Sequence, residues 1–453
     1  MALSAIDEAL VRRYDVNAPR YTSYPTAAQF SAAVGPAEWS AWLARTRGDQ
    51  PVSLYVHLPF CKRLCWYCGC NTRAVNRREV ISSYLDLLLA EADLVVDAAG
   101  GPLRVETLHL GGGTPNMLTP NELDGLIAGL RQRFDMTSLT EFAAELDPEV
   151  LTPEWIAAAG ELGLTRASLG VQDLSPDVQA AVNRPESFES IAAAAKALRQ
   201  AGVTSLNLDV MYGLPLQGVD QVLATLTQVA TLRPERIALF GYAHVPWMKP
   251  HQKLIKDAHL PGPRARFAQS RAAEAFLIEA GYEAIGLDHF ALPHDGMAIA
   301  HHSGRLRRNF QGYTTDLAET LVGLGASSIS RTPDGYAQNA TLERDWRAAI
   351  QSRRLATARG VALSDEDALL ADIIERLMCE FAVDLGAVYA KHGRPYPANA
   401  SAPNLSEFES DGLVTRRGDL VTVTDRGRPF VRAVCAAFDP KLETSPGRHA
   451  RVV

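Results

Sequence analysis

The sequence lacks any long uncharged hydrophobic run. Its longest apolar stretch, residues 85–99, is interrupted by Asp86, Glu91 and Asp93, whereas a membrane-spanning helix needs about 20 consecutive apolar residues. The first sixteen residues carry several charged side chains and lack an apolar stretch of signal-peptide length. We therefore expect a cytoplasmic protein that has no membrane partner.

Positive charge does not predominate either. The chain has 45 lysines and arginines against 52 aspartates and glutamates, which gives a formal net charge of −7. This balance argues against wide contact with a phosphate backbone, so we expect no nucleic-acid partner. Only seven of the basic residues are lysines. The many arginines would suit a substrate with several carboxylates, because a guanidinium binds a carboxylate bidentately.

Cysteine is scarce and unevenly placed. The chain has six cysteines: Cys61, Cys65, Cys68, Cys70, Cys379 and Cys435. Four of them fall within ten residues, unlike the dispersed pairs of a disulfide framework. The last two stand in apolar helical contexts, which predicts buried and unreactive side chains.

The clustered cysteines fit four kinds of site. A zinc site would use two pairs of ligands, but Cys68 and Cys70 are too closely spaced for the second pair. A redox disulfide would use a Cys-x-x-Cys pair without a third cysteine at position 61. A four-thiolate iron–sulfur cluster would be an electron relay, whereas three thiolates would leave one iron open for chemistry. The spacing of Cys61, Cys65 and Cys68 favours the three-thiolate cluster.

From about residue 51, short β-rich runs alternate with amphipathic helical patterns. The predicted strands are residues 53–58, 105–110, 141–146, 166–171, 205–211, 237–242 and 283–287. Such alternation indicates a parallel sheet, and six or more β/α units favour a barrel or part of one. Hydroxyl residues followed by proline predict helix starts at Thr119, Thr152 and Ser175.

We predict an α/β fold with three segments. Residues 51–350 form a partial or near-complete parallel β/α (TIM-like) barrel, and residues 1–50 form an N-terminal arm that packs on it or covers the mouth of the site. Residues 351–453 form a mainly helical domain, because a long amphipathic helix at 365–381 precedes a winged-helix-like order of elements. Winged helices often bind DNA, but the acidic chain argues against that role here.

The unusual residues follow the predicted strands. The cysteine loop follows the first strand, and a glycine run at 111–113 follows the second. Glu145, Gln172, Asp209 and Ala243 stand at or near the ends of the next four. The carboxyl ends of parallel barrel strands share the face that carries the active site. We therefore expect these residues to converge.

The cysteine spacing resembles the signature of radical S-adenosylmethionine (radical SAM) enzymes. In that family the open iron of a [4Fe-4S] cluster chelates the methionine part of SAM, and one electron then releases a 5′-deoxyadenosyl radical. The resemblance implies that Cys61, Cys65 and Cys68 hold the cluster and that Cys70 does not. It also implies a radical SAM barrel, in agreement with the β/α alternation.

Longer motifs resemble the oxygen-independent coproporphyrinogen III oxidases and cover nearly the whole chain. They are residues 19–26, 54–61, 68–71, 109–115, 286–291, 308–315 and 323–329. The resemblance implies oxidative decarboxylation of two propionates of coproporphyrinogen III to vinyl groups, which gives protoporphyrinogen IX in heme biosynthesis. It further implies a porphyrinogen substrate, an unidentified electron-donor protein and a monomer. A heme-binding chaperone of the same superfamily is the alternative, and Cys70 with the motifs at 19–26 and 308–315 favours the oxidase.

The resemblance also implies the positions that bind the cofactor. Three residues contact the SAM at the cluster: Tyr55, Glu145 and Ile329. Eight others match further SAM-contacting positions, some of them assigned to a second SAM molecule: Tyr67, Gly112, Gly113, Thr114, Gln172, Arg184, Asp209 and Ala243. The glycines would let the main chain approach the SAM amino group, since a Cβ would block it. Candidates for the substrate carboxylates are Arg20, Arg307 and Arg308, and no further catalytic residue is assigned.

Overall fold

The computed structural model describes residues 5–46, 48–396, 405–442 and 449–452. Residues 1–4 and 453, the outer ends of the predicted arm and C-terminal domain, lie outside the described residues. Residues 397–404, which fall within the predicted C-terminal domain, lie outside them as well. Among the helices that are described, none is both long enough and apolar enough to cross a membrane.

The described part of the chain contains nineteen strands and fifteen α-helices. The strands are β1 (Pro51–Leu58), β2 (Phe60–Cys61), β3 (Arg73–Ala74), β4 (Arg104–Gly112), β5 (Glu141–Leu146), β6 (Arg166–Gln172), β7 (Ser205–Tyr212), β8 (Arg236–Gly241), β9 (Glu283–Ile285), β10 (His289–Ala291), β11 (Arg307–Asn309), β12 (Gly312–Thr314), β13 (Thr320–Leu324), β14 (Ile329–Thr332), β15 (Gly335–Asn339), β16 (Thr357–Ala362), β17 (Ala382–Asp384), β18 (Val414–Arg417) and β19 (Leu420–Val423). The helices are α1 (Ala5–Tyr14), α2 (Pro36–Leu43), α3 (Arg78–Ala99), α4 (Pro120–Arg131), α5 (Pro153–Glu161), α6 (Pro176–Val182), α7 (Phe188–Gln200), α8 (Val219–Thr231), α9 (Pro263–Glu279), α10 (Gly296–His302), α11 (Glu343–Gln351), α12 (Asp365–Glu380), α13 (Leu385–Lys391), α14 (Ser406–Ser410) and α15 (Val431–Ala436).

The central sheet is parallel in its middle and antiparallel at both ends. Its order is β16-β15-β14-β13-β1-β4-β5-β6-β7-β8-β10-β9, and the strands from β13 to β8 pair in parallel. At least one helix lies between consecutive members of the parallel series β1, β4, β5, β6, β7 and β8, as crossover connections between parallel strands require. The predicted parallel β/α fold is confirmed. Among the described residues the end strands β16 and β9 do not pair with each other, so the barrel is partial.

The seventh predicted strand is the exception. Residues 283–287 were expected to extend the parallel series, but β9 is shorter and pairs antiparallel with β10. Strand β10 in turn pairs antiparallel with β8 and takes the place beside it. The turn between β9 and β10 contains Gly286 at φ +57°, a conformation that favours glycine. This short hairpin replaces the long crossover that a parallel strand would need.

Two of the three predicted helix caps are confirmed. The Thr119 hydroxyl accepts a hydrogen bond from the Glu122 main-chain nitrogen, and Thr152 accepts one from Trp155. Ser175 does precede α6, but its side chain makes no capping hydrogen bond there. These caps begin the helices on the outside of the sheet and satisfy main-chain donors that the helix itself leaves unpaired.

Polar side chains fill the inside of the partial barrel. A cavity of about 140 Å³ remains there, lined by residues of β1 and β4 to β8. Two ion pairs cross the interior, Arg166 with Glu141 at 2.9 Å and Arg236 with Asp295 at 2.7 Å. Buried charges are stable only when they are paired and hydrogen-bonded. The apolar core lies instead between the outer face of the sheet and its helices.

The C-terminal elements have the predicted winged-helix-like order. Helix α12 is followed by β17, two short helices and the β18–β19 hairpin, and β17 pairs with β19 in a three-stranded sheet. Cys379 and Cys435 are buried, as predicted. Tyr21 and Tyr24 of the arm pack into the apolar core around α12. The arm is therefore joined to the C-terminal elements, and the predicted boundaries at 50/51 and 350/351 stay predictions.

Candidate functional site

The cysteine loop lies at the carboxyl end of β1, where the sequence predicts the site. Cys61 closes β2, which pairs with β3 and holds the two ends of the loop together. Cys65 is buried, Cys61 and Cys68 are half-buried, and Cys70 is exposed. Burial raises the pKa of the Cys61 thiol to about 11 and also raises that of Cys65. The three predicted ligands are close enough for each charge to act on the others.

Polar groups approach all three thiols, and those beside Cys61 are the Thr72 and Thr114 side chains. Arg184 lies with its Nη1 3.6 Å from the Cys65 Sγ, and the Cys70 main-chain nitrogen donates to the Cys68 Sγ at 3.4 Å. The Thr72 hydroxyl is 3.8 Å from the same Cys68 sulfur. Hydrogen bonds to sulfur tune iron–sulfur clusters, and thiolates are their usual ligands. The donor set therefore fits the cluster implied by the sequence.

The glycine run packs tightly against protein atoms. Gly112 has φ +104°, and a Cβ there would lie 2.4 Å from the His57 ring. At Gly113 a Cβ would lie 2.6 Å from the Phe60 main-chain oxygen. A side chain at either glycine would therefore clash with β1 or β2, and contact of the two glycines with SAM stays a prediction. Thr114 follows them, buried, and donates its main-chain N–H to the Phe60 oxygen at 2.7 Å.

Glu145 lies beside this glycine run. Its Oε2 accepts a hydrogen bond from the Gly112 main-chain nitrogen at 2.9 Å, and its Oε1 is 3.3 Å from His109 Nε2. Burial alone would raise the pKa of Glu145, but the contacts with His109 and Gly112 outweigh it and lower the pKa. Glu145 is therefore held as a carboxylate at the end of β5.

Tyr55 and Ile329 lie on β1 and β14, the two strands on either side of β13. Tyr55 faces Gly323 in the β1–β13 ladder, and a Cβ on Gly323 would lie 2.9 Å from the Ile329 main-chain oxygen. The Tyr55 hydroxyl is 3.1 Å from His57 Nδ1, and the other ring nitrogen of His57 is 3.0 Å from the Asn71 main-chain oxygen. His57 thereby connects the Tyr55 hydroxyl to the cysteine loop.

Arg184 joins the cysteine loop to two strand ends. Its guanidinium lies 3.2 Å from the Asp147 carboxylate and donates to the Gly170 main-chain oxygen at 2.8 Å. Burial disfavours the charge, yet the neighbouring negative groups hold the pKa of Arg184 well above its ordinary value. Gln172 follows at a bulge of β6 with φ +65°, which is strained for a residue other than glycine. Bulges next to functional sites commonly re-aim a side chain.

Two further predicted positions lie on β7 and after β8. Asp209 accepts hydrogen bonds from Ser168 at 3.0 Å and from Asn207 at 2.7 Å inside the barrel. Gln252, which is fully buried, donates to the main-chain oxygens of Tyr67 at 2.9 Å and Ala243 at 3.3 Å. Through Gln252 the cysteine loop and the end of β8 are held together.

The free energy of unfolding should depend on pH because burial raises the pKa of Asp209. Burial raises its pKa from 3.8 to about 6, so the folded protein binds this proton more tightly than the unfolded chain. The resulting stability is present below about pH 4 and is lost as pH rises through 6. Asp209→Asn should therefore gain about 2–3 kcal/mol in free energy of unfolding, relative to the parent, between pH 4 and pH 7. Denaturant titrations at several pH values measure this gain.

The control is Thr227→Ser, at an exposed position of α8. Its difference from the parent should stay constant across the same pH range, because neither side chain titrates there. A constant difference for Asp209→Asn as well would contradict the prediction.

The three arginines proposed for substrate carboxylates have different surroundings. Arg307 forms an ion pair with Glu375 of α12 at 3.1 Å. Arg308 is buried, with its guanidinium 4.3 Å from the centre of the Tyr313 ring. Arg20 lines a large cavity beside β8. Arg20 therefore has open space beside it for a ligand, whereas Arg307 is paired with a carboxylate and Arg308 packs on Tyr313. Contact of any of the three with the substrate stays a prediction.

Three residues of this region were not assigned from the sequence: His57, Asp147 and Gln252. His57 lies in β1 within the motif at 54–61, and Asp147 directly follows β5, so their position offered a signal. Gln252 lies eleven residues after β8, and no sequence pattern marked it as a site residue. Its role depends on main-chain oxygens of distant segments, which only the fold brings together.

Comparisons with known proteins agree with these features. The Radical SAM superfamily model matches residues 55–229, and the HemN C-terminal domain model matches residues 363–430. A protein of Bradyrhizobium diazoefficiens named oxygen-independent coproporphyrinogen III oxidase is 46% identical over 436 residues, which are 96% of this chain and 97% of the relative. The Escherichia coli protein of the same name is 38% identical over 443 residues, which are 96% of this chain and 95% of the relative.

A solved structure is similar over nearly the same length. Coproporphyrinogen III oxidase (HemN) from Escherichia coli, described as a radical SAM enzyme, superposes with a TM-score of 0.90 at 36% sequence identity. The match covers 96% of this chain and 99% of that one. The similarity therefore includes the arm and the C-terminal elements as well as the barrel.

Proposed function

Because this chain belongs to the oxygen-independent coproporphyrinogen III oxidase family of radical SAM enzymes, we propose that it oxidatively decarboxylates two propionates of coproporphyrinogen III to vinyl groups. The product would be protoporphyrinogen IX, an intermediate of heme biosynthesis. The observation that carries the proposal is the full-length similarity to HemN. Relatives that share nearly the whole chain carry the oxidase name, which favours this activity over a heme-binding chaperone.

Cys61, Cys65 and Cys68 would hold the [4Fe-4S] cluster, and SAM would lie between the cysteine loop and the strand ends. When bound, the cluster and SAM supply a 5′-deoxyadenosyl radical that removes a hydrogen atom from a substrate propionate. The chain's own residues bind and orient the reactants. Fixing two reactants in one geometry removes much of the entropic barrier.

The roles proposed for the SAM-contacting residues follow from their surroundings. Glu145 is an ionised carboxylate, so it would pair with the SAM ammonium group. Tyr55 and Ile329 would contact the same molecule from the two strands on either side of β13. The remaining positions would bind SAM or a second SAM molecule: Tyr67, Gly112, Gly113, Thr114, Gln172, Arg184, Asp209 and Ala243. The enzyme would act as a cytoplasmic monomer that receives electrons from an unidentified donor protein.

Anaerobic turnover tests the proposed function. Protein with a reconstituted cluster, SAM and a reductant should convert coproporphyrinogen III to protoporphyrinogen IX and release two molecules of CO2 per ring. Mass spectrometry of the oxidised porphyrins and trapped CO2 give the two readouts. Intact cluster and SAM cleavage without loss of CO2 from the substrate would reject the proposal.

A further inference from the structure

An arginine-lined cavity of about 770 Å³ lies behind the last parallel strand, β8. The alternation of side chains along the strand separates it from the barrel interior. Leu239 and Gly241 line this cavity, whereas Arg236 and Phe240 line the interior. Ala243, one of the positions proposed to contact SAM, also lines the cavity. The cavity therefore adjoins the proposed cofactor site at the end of β8.

The cavity wall carries more positive than negative charge. Five arginines and two histidines line it, together with two carboxylates, Glu274 and Asp288. Both carboxylates already have partners, because Arg271 pairs with Glu274 and His289 lies 2.8 Å from Asp288. Two of the five arginines are likewise paired with carboxylates outside the lining, Arg428 with Asp425 and Arg451 with Asp15. The lining thus favours an anionic ligand, although the chain as a whole is acidic.

Arg432 contributes charge while it fixes the backbone of the wall. Its guanidinium donates to main-chain oxygens of residues 18–19 and 450–452. These oxygens are neutral and leave the positive charge uncancelled. Burial, together with the nearby charge of Arg20, lowers the pKa of Arg432 to about 9. Such mutual repulsion between arginines would be relieved by a bound anion.

Arg20 and Arg266 complete a group of three guanidiniums from three segments. Arg20, on the arm, donates to the Gly241 main-chain oxygen at 2.7 Å. Arg266, on α9, lies 5.8 Å from the centre of the Tyr212 ring. Burial lowers the pKa of Arg266, and Arg20 contributes to the shift. The arm, α9 and α15 therefore bring positive charge to one cavity.

The rest of the lining is apolar. Leu239, Phe267 and Phe290 contribute to the walls beside the arginines. A ligand that matches both parts is a hydrophobic ring system with carboxylates at its edge. A tetrapyrrole with several propionates has this chemistry, and the volume of the cavity is in the range of drug-sized ligand sites.

We propose that this cavity binds the propionates of the tetrapyrrole that are not reacting, with Arg20 and Arg266 as their partners. The reacting propionate then extends past Ala243 toward the SAM site. This inference rests on the proposed function and assigns the substrate's orientation within it. Arg432 is a positioning residue, since it holds the arm and the C-terminal segment that form part of the wall.

Binding of coproporphyrin III to the anaerobic cluster-loaded protein tests the inference. This oxidised tetracarboxylate cannot react and reports binding by its fluorescence. Arg20→Gln and Arg266→Gln should each weaken binding by about tenfold or more, because each removes a charge-assisted hydrogen bond. The matched control is Arg264→Gln, also on α9, where an exposed arginine pairs with Glu8 at 2.9 Å. The control should bind within about twofold of the parent, as surface ion pairs contribute little.

Two further comparisons separate binding from structural damage. The tetramethyl ester of coproporphyrin III should bind the parent weakly, and the Gln variants should reduce the preference for the acid over the ester. Arg20→Lys and Arg266→Lys keep the charge and should recover part of the affinity. The inference would be overturned if the Lys variants bound coproporphyrin III as weakly as the Gln variants do. It would also be overturned if the Gln variants kept the affinity and KM of the parent.

The outcomes also distinguish this inference from the proposed function. Release of CO2 by the parent, with unaltered coproporphyrin binding in both Gln variants, rejects the cavity and retains the oxidase. Absence of CO2 release from the parent, with weakened binding in the variants, rejects the oxidase and retains a tetracarboxylate site.

Discussion

Serine at position 61, 65 or 68 should abolish the iron–sulfur cluster, whereas Cys70→Ser should leave it in place. The three predicted ligands lie on one loop with partly buried thiols, and an arginine and a main-chain N–H approach two of the sulfurs. A serine oxygen is a much poorer cluster ligand than a thiolate. Loss of an outer-shell partner alone costs about 10–100-fold in metal affinity, so we expect loss of a ligand to cost at least as much.

Cys70 provides the matched control because it lies in the same loop. Cys70 is exposed, and both its main-chain nitrogen and its thiol are hydrogen-bonded to the Cys68 sulfur. Serine preserves the nitrogen and supplies a hydroxyl donor in place of the thiol. Iron and sulfide analysis and the visible absorbance of anaerobic protein measure cluster content. A Cys70→Ser protein without a cluster, or a Cys61→Ser protein that retains one and cleaves SAM, would contradict the assigned ligands.

The sequence predicts the parallel part of the fold well because its signals are local. Short β-rich runs and capped amphipathic helices each depend on neighbouring residues, and the six strands from β1 to β8 in the parallel series were all predicted. Strands β9 and β10 were not predicted as a hairpin. Their pairing depends on the conformation of Gly286 and on the edge that β8 leaves open, and neither feature follows from a local pattern.

The residues of the candidate site could be predicted from local sequence signals, but the contacts between them could not. Its residues stand at strand ends, and parallel topology brings those ends together. The contacts within the site depend on distant segments instead. His57 fills the space that Gly112 leaves, and Gln252 joins Tyr67 to Ala243. Hydrogen bonds between distant segments produce no regular spacing of residues in the sequence, so only the folded chain reveals them.

Glu145→Gln should weaken SAM binding by about 10–100-fold while the cluster stays intact. The expected loss corresponds to a charge-assisted hydrogen bond of about 1.5–3 kcal/mol. Contacts with His109 and Gly112 outweigh burial and lower the pKa of Glu145, so the group is negative at neutral pH. Each carboxylate oxygen has one close protein contact and can accept a further hydrogen bond. That remaining capacity suits the SAM ammonium group.

The substitution to glutamine tests the effect of the charge alone, because it removes the charge and nearly preserves the shape of the side chain. Its amide oxygen can still accept from the Gly112 nitrogen, so β4 and β5 should keep their arrangement. Anaerobic equilibrium dialysis with labelled SAM gives the dissociation constant, and iron analysis verifies the cluster. Glu106→Gln on β4 is the control, since Glu106 pairs with Arg104 near the opposite end of that strand. Unchanged SAM affinity in Glu145→Gln would show that the ammonium group has another partner, and a parallel loss in Glu106→Gln would point to a general effect of removing a carboxylate from the barrel.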